Sequence, residues 1–85
     1  MEAQETRVAL IGIIVQNPES VEKLNTYLHE NSAYIIGRMG VPYRAKELSV
    51  MSVALDAPID VISALAGKIG MLDGVTSKAI YPKTE

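Results

Sequence analysis

The sequence predicts an α+β fold in which a four-stranded antiparallel sheet carries two helices on one face. Three observations lead there. Strand-like and helix-like runs alternate as β-α-β-β-α-β, one copy each. The first run, Val8 to Val15, is apolar at every position except Gly12, so both of its faces are covered and it is a central strand. The two helical runs each carry a single apolar stripe, enough to cover one face of a sheet and no more.

The first strand is read from "RVALIGIIVQ". β-branched residues dominate it, with Val8, Leu10 and Ile14 on one face and Ala9, Ile11, Ile13 and Val15 on the other. "NPESVEKLNTYLHEN" follows as the first helix. Asn17 suits an N-cap, Pro18 the first helical position and Glu19 the positive end of the helix dipole. Val21, Leu24 and Leu28 form the stripe, with Tyr27 beside it, and Asn31 ends the helix. "AYIIGRM" is the second strand and "ELSVMSVALD" the third, with Met51, Val53 and Leu55 on one face and Val50, Ser52 and Ala54 on the other.

"DAPIDVISALAGKIGML" is the second helix, with Pro58 in its first turn and a stripe of Ile59, Ile62, Ala66 and Ile69 widened by Val61 and Leu65. Gly67 is expected to permit close packing and Gly70 to belong to the helix end. Asp73–Gly74 is a turn signal, and "VTSKAIY" is the last strand, ended by Pro82. The order is that of a ferredoxin-like βαββαβ domain. Right-handed crossovers then set strand one beside strand three in the middle of the sheet. Residues 1–6 are expected to be a flexible N-terminus and 7–83 a single domain. Both helices cover the same sheet face, yet strands one and three are apolar on the other face too. That second face is expected to be buried against another subunit.

Composition narrows the function. The chain has 85 residues, 48% of them hydrophobic, four tyrosines, no Phe or Trp and no cysteine. Such a chain buries only roughly 60–65% of its unfolded surface, and small domains without disulfides often gain stability by oligomerising. A formal charge of −2 argues against direct nucleic-acid binding. "MEAQET" lacks the basic start of a secretion signal, and no apolar run approaches a membrane span. A soluble, cytoplasmic protein that contacts neither membrane nor nucleic acid is expected.

Several short motifs carry a resemblance. They are "R-x-G-x-P" at Arg38, Gly40 and Pro42, "ALAGKIG" at Ala64 to Gly70, and "GV" at Gly74–Val75 before the last strand. The opening "ALIGIIVQNPES" and the helix after it fit the same layout. Over roughly residues 7 to 83 the chain resembles the iron-only hydrogenase system regulators, small ACT-like proteins of bacteria. The resemblance implies an ACT-like ferredoxin fold, assembly into homodimers or homotetramers, no catalytic residues and no established ligand. It also implies a fold similar to the C-terminal regulatory domain of nickel-responsive repressors. Those domains bind metal through several histidines and a cysteine. This chain has one His and no Cys, so neither a metal site within one chain nor a cofactor is expected. With only residues 1–6 before the first strand, no ribbon-helix-helix DNA-binding domain is expected. An effect on transcription would pass through a separate DNA-binding partner.

Two stretches are candidates for ligand binding. In the loop Arg38 to Lys46, Arg38, Arg44 and Lys46 offer donors for carboxylate or phosphate. Gly37 and Gly40 leave backbone N–H groups approachable, and Tyr43 adds an amphipathic wall. The alternative is a plain turn with solvated charges. At the corner after strand one, "VQNPES", Asn17 and Ser20 offer hydrogen bonds to a small anion near a helix N-terminus, or simply cap the helix. Acylphosphatases share this topology but need an arginine in that corner, and "QNPES" has none. His29 reads as a cation at a helix C-terminus rather than a general base, and Gly67–Lys68 lacks the spacing of a phosphate-binding loop. The expected function is therefore a non-enzymatic regulatory or small-ligand-sensing module working as a homo-oligomer. The alternative is a structural adaptor that binds a partner protein along a sheet edge, with no small ligand.

Overall fold

A computed structural model describes residues 5–83 of the chain. The expected flexible N-terminus lies outside the described residues up to position 4, and Glu5 and Thr6 lead into the first strand without regular structure. The elements are β1 (Arg7–Val15), α1 (Val21–Glu30), β2 (Ile35–Tyr43), β3 (Leu48–Ala57), α2 (Ile59–Gly70) and β4 (Val75–Ile80). Single 3-10 turns stand at Pro18–Ser20, Ser32–Tyr34 and Arg44–Lys46. The sheet order is β2-β3-β1-β4 with every pair antiparallel, which is the ferredoxin-like, ACT-like arrangement.

Alternation along the central strands separates two unlike faces. Ala9, Ile11, Ile13 and Val15 of β1 and Met51, Val53 and Leu55 of β3 are buried under the helices. Leu24 and Leu28 of α1 and Ile62, Leu65 and Ile69 of α2 close over them. Each of the larger side chains among them contributes about 1.5–3 kcal/mol on leaving water. Lys68 of α2 stands 4.7 Å above the Tyr27 ring of α1 and ties the helices together outside the core. Among the described residues no element covers the opposite sheet face. It presents Val8, Leu10 and Ile14 of β1, Val50 of β3, Met39, Val41 and Tyr43 of β2, and Ile80 of β4, all exposed.

The corner and turn geometry is specific. Asn17 caps the 3-10 turn, its side chain accepting from the Glu19 N–H at 3.0 Å, and α1 starts only at Val21. Asn31 ends α1, its Nδ2 donating to the Tyr27 carbonyl at 2.9 Å. Gly74 has φ +69, and a Cβ there would stand 2.8 Å from Asn17 Cβ. Only glycine meets both conditions cheaply.

Four sequence expectations change. β2 continues through Arg38, Gly40 and Pro42 to Tyr43, so these residues form a strand and not a turn. Pairing with β3 overrides the turn propensity of glycine and proline, and an edge strand tolerates proline because one side of its backbone has no neighbour. A bulge between Ile35 and Gly37 absorbs the irregularity. Pro58 is the N-cap of α2 rather than part of its first turn, and Ile59 faces solvent at 45% exposure. Nothing lies within 4 Å of a Cβ built on Gly67, so it is not a close-packing position.

Candidate functional site

The sheet places three residues side by side at one end of its helix-covered face. Val15 is paired with Ser49, and Ser49 with Pro42. Beyond this row the chain leaves the sheet twice, at the corner after β1 and at the turn between β2 and β3. The two exits enclose an open pocket of about 290 Å³. Its floor is Val15, Ser49 and Pro42; Gln16 and Pro18 form one wall, and Tyr43, Arg44, Glu47 and Leu48 form the other.

The turn that builds the second wall is strained. Glu47 adopts φ 54 and ψ 46, the left-handed region, and its N–H donates to the Arg44 carbonyl at 3.1 Å. A non-glycine residue held there costs about 1–2 kcal/mol. Arg44 and Glu47 are both exposed, and neither side chain has a partner among the described residues. The pocket mouth thus carries an unpaired cation and an unpaired anion over an apolar floor. An amide at Gln16, a phenol at Tyr43 and a hydroxyl at Ser49 supply hydrogen bonds. That set of groups is suited to hydrogen-bonding a small polar molecule.

The sequence candidates separate in three directions. Tyr43 and Arg44 line the pocket. Arg38 does not: it stands on the helix side of β2 and its Nη2 donates to Asn25 Oδ1 of α1 at 3.0 Å. Five strand residues, Met39 to Tyr43, lie between the two arginines, which sets their backbones roughly 20 Å apart, so they do not form one site. Gly40 lies opposite Met51, whose Cγ would be 3.6 Å from an added Cβ, an ordinary contact. Asn17 and Ser20 join the β1–α1 corner to the turn before β4. Asn17 Nδ2 donates to Asp73 Oδ2 at 2.7 Å, and Ser20 Oγ donates to the Asp73 carbonyl at 2.7 Å. The Gln16 N–H completes this latch by donating to the Gly74 carbonyl at 2.7 Å. Lys46 is exposed on the strained turn. The sequence reading missed Gln16, Glu47 and Ser49; the signal for Ser49 was its register opposite Val15 at the strand end.

Among the described residues, no three His, Cys, Asp or Glu side chains gather to hold a metal ion. No helix among them is long and apolar enough to cross a membrane.

A family model described as "TM1266-like: Iron-only hydrogenase system regulator, putative" matches residues 7–79. The chain belongs to this family. Among solved structures, the uncharacterized protein TM1266 from Thermotoga maritima is similar at 31% sequence identity and a TM-score of 0.88. The match covers 93% of this chain and 100% of that one. A formyltetrahydrofolate deformylase from Pseudomonas putida KT2440 is similar at a TM-score of 0.65 and 14% identity, over 92% of this chain and 30% of that one, a likeness of fold alone. No curated protein matches the chain. The residues that carried the TM1266-like resemblance divide by role: Arg38, Gly40 and Pro42 shape edge strand β2, while Gly74 shapes the latch.

Proposed function

We propose that this chain is a non-enzymatic regulatory module of the iron-only hydrogenase system, working in the cytoplasm as a homo-oligomer that senses a small anionic ligand. Family membership supports the regulatory part. The observation that carries the oligomer is the bare sheet face, where Leu10, Ile14, Met39, Val41, Tyr43 and Val50 stand between 41% and 56% exposed among the described residues. An apolar patch of several hundred Å² is far more common at interfaces than on the free surface of a monomer.

Arg44 supports the ligand part, as an unpaired guanidinium over a pocket sized for a small molecule. Tyr43 and Leu48 face two ways, since both line the pocket and alternation along their strands directs both to the bare sheet face. An occupant that fixes this pair therefore acts on the interface, and shifts the assembly to the extent that it binds one arrangement more tightly than another. Among the earlier candidates, Asn17 and Ser20 support the site indirectly, through the corner that forms its first wall.

A thermal-shift series with inorganic phosphate, simple carboxylates, amino acids, nucleotides and metal ions tests the sensor. A rise in melting temperature with an anionic compound, lost in Arg44→Ala, is expected; no rise with any compound contradicts it. The adaptor reading rests on one observation, the free outer edge of β4, a six-residue strand without proline. Co-purification of a partner protein with a chain that is monomeric on its own would favour it.

A further inference from the structure

The turn before β4 carries a chemically reactive pair that lies outside the pocket. Asp73 is the one aspartate or asparagine in the chain that is followed by glycine. An aspartate side chain can close on the backbone nitrogen of the next residue, and glycine leaves that nitrogen open because it has no Cβ beside it. Asp73 and Gly74 are both exposed. Among the described residues nothing accepts the Gly74 N–H, so the attacking atom has no hydrogen bond to give up. What restrains the pair is the latch. The peptide unit is planar, so the Asp73 carbonyl and the Gly74 nitrogen turn together. Ser20 Oγ donates to that carbonyl at 2.7 Å. Asn17 Nδ2 donates to the Asp73 carboxylate at 2.7 Å. The Gln16 N–H donates to the Gly74 carbonyl, also at 2.7 Å. Ring closure must turn the peptide plane and the side chain toward each other, and the bonds to Ser20 and Asn17 oppose the two movements.

We propose that Asp73 is a site of spontaneous backbone modification, conversion to isoaspartate through a cyclic imide, and that the latch sets its rate. The Gly74 nitrogen forms a bond to Asp73 Cγ and gives up its proton. A carboxyl oxygen leaves as water, with that proton and another from solvent. A water molecule then opens the ring. Opening at Cγ restores aspartate. Opening at the α-carbonyl leaves the chain running through Cγ, with the former carbonyl carbon as a free carboxylate. No oxidant, reductant or cofactor enters. The product has a main chain longer by a single atom just before β4. It also sets a charged carboxylate where Ser20 Oγ meets a neutral carbonyl. The next residue, Val75, pairs with Val15 of the pocket floor, and Gln16 of the latch stands in the pocket wall. The modification therefore reaches the pocket through the latch, without touching a residue that lines it.

Ageing of the folded protein in warm neutral buffer is the test. Isoaspartate is read in the tryptic peptide of residues 69–78, by its chromatographic retention and by electron-transfer fragmentation. Asp73 is the only aspartate or asparagine in that peptide, so the signal has one source. Wild type, Ser20→Ala, Asn17→Ser and a core control, Ile62→Val, are compared, each checked for folding by circular dichroism. Two latch variants are used so that one that fails to fold leaves the other to decide. The latch variants are expected to form isoaspartate about fivefold or more faster than the wild type, the factor that loss of one hydrogen bond gives. Ile62→Val, which loosens the buried core away from the turn, is expected to age like the wild type. Wild type unfolded in urea is expected to be fastest of all. Absence of isoaspartate from every folded chain would overturn the proposal, as would equal rates in the wild type and the latch variants. Equal acceleration in Ile62→Val would also overturn it, because global unfolding and not the latch would then control the reaction.

Discussion

Replacing Gly74 by alanine strikes the contact that joins the β1–α1 corner to the turn before β4. Gly74 combines φ +69 with a Cβ position 2.8 Å from Asn17 Cβ and 3.0 Å from the Asn17 backbone nitrogen. The left-handed conformation alone costs alanine about 1–2 kcal/mol. The steric overlap cannot be relieved by rotating a flexible side chain, because the atoms struck belong to the backbone or lie next to it. The turn must move, and it carries the 2.7 Å bonds from the Gln16 N–H to Gly74 and from Ser20 Oγ to Asp73. Weakening them adds about 1–2 kcal/mol. The sum is about 2–4 kcal/mol, and in a domain of this size each kcal/mol shifts the melting temperature by about 4–8 °C. Gly74→Ala is therefore expected to melt roughly 10–25 °C lower in a thermal scan followed by circular dichroism. A cycle with Asn17→Gly, which removes the closest atom, should recover about 1 kcal/mol or more as coupling. A drop below about 4 °C, or no coupling in the cycle, would refute the reasoning that this contact is tight.

Other outcomes follow from the same geometry. Ser20→Ala leaves the buried end of the Asp73 latch without its donor and should cost about 1–2 kcal/mol in urea unfolding. Gly67→Ala replaces an exposed helical glycine with open space around it and should stabilise by about 1 kcal/mol; destabilisation would show that this helix face is covered in the assembly. Arg38→Ala and Arg44→Ala should both keep the fold, since both side chains are exposed. Only Arg44→Ala should abolish an anion-induced thermal shift, whereas equal loss in both would mean that the binding site is not the pocket at the turn.

The sequence made the architecture legible where periodicity is strong and failed where pairing decides. Val8 to Val15 reads as a central strand because both faces are apolar, and it occupies the centre of the sheet. The split of β3 into a buried Met51–Val53–Leu55 face and an open Val50–Ser52–Ala54 face follows from alternation alone. The stretch from Gly40 to Pro42 misleads because glycine and proline are turn residues by local propensity. Hydrogen bonding to β3 holds the chain extended there and carries Arg38 away from Arg44. The pocket was half legible. Tyr43 and Arg44 stood out chemically, but the floor comes from Val15, Ser49 and Pro42, which meet only through register across three strands. Asn17 and Ser20 looked like ligand donors because local sequence shows the hydrogen-bonding groups and not their distant partner, Asp73.

The proposed interface is the apolar sheet face. Its most direct test is the mass of the wild-type chain in solution, measured by light scattering across micromolar concentrations. A dimer or tetramer of the 9.2 kDa chain that dissociates on dilution is expected. A mass of 9.2 kDa at every concentration, with the bare face left in water, would contradict it.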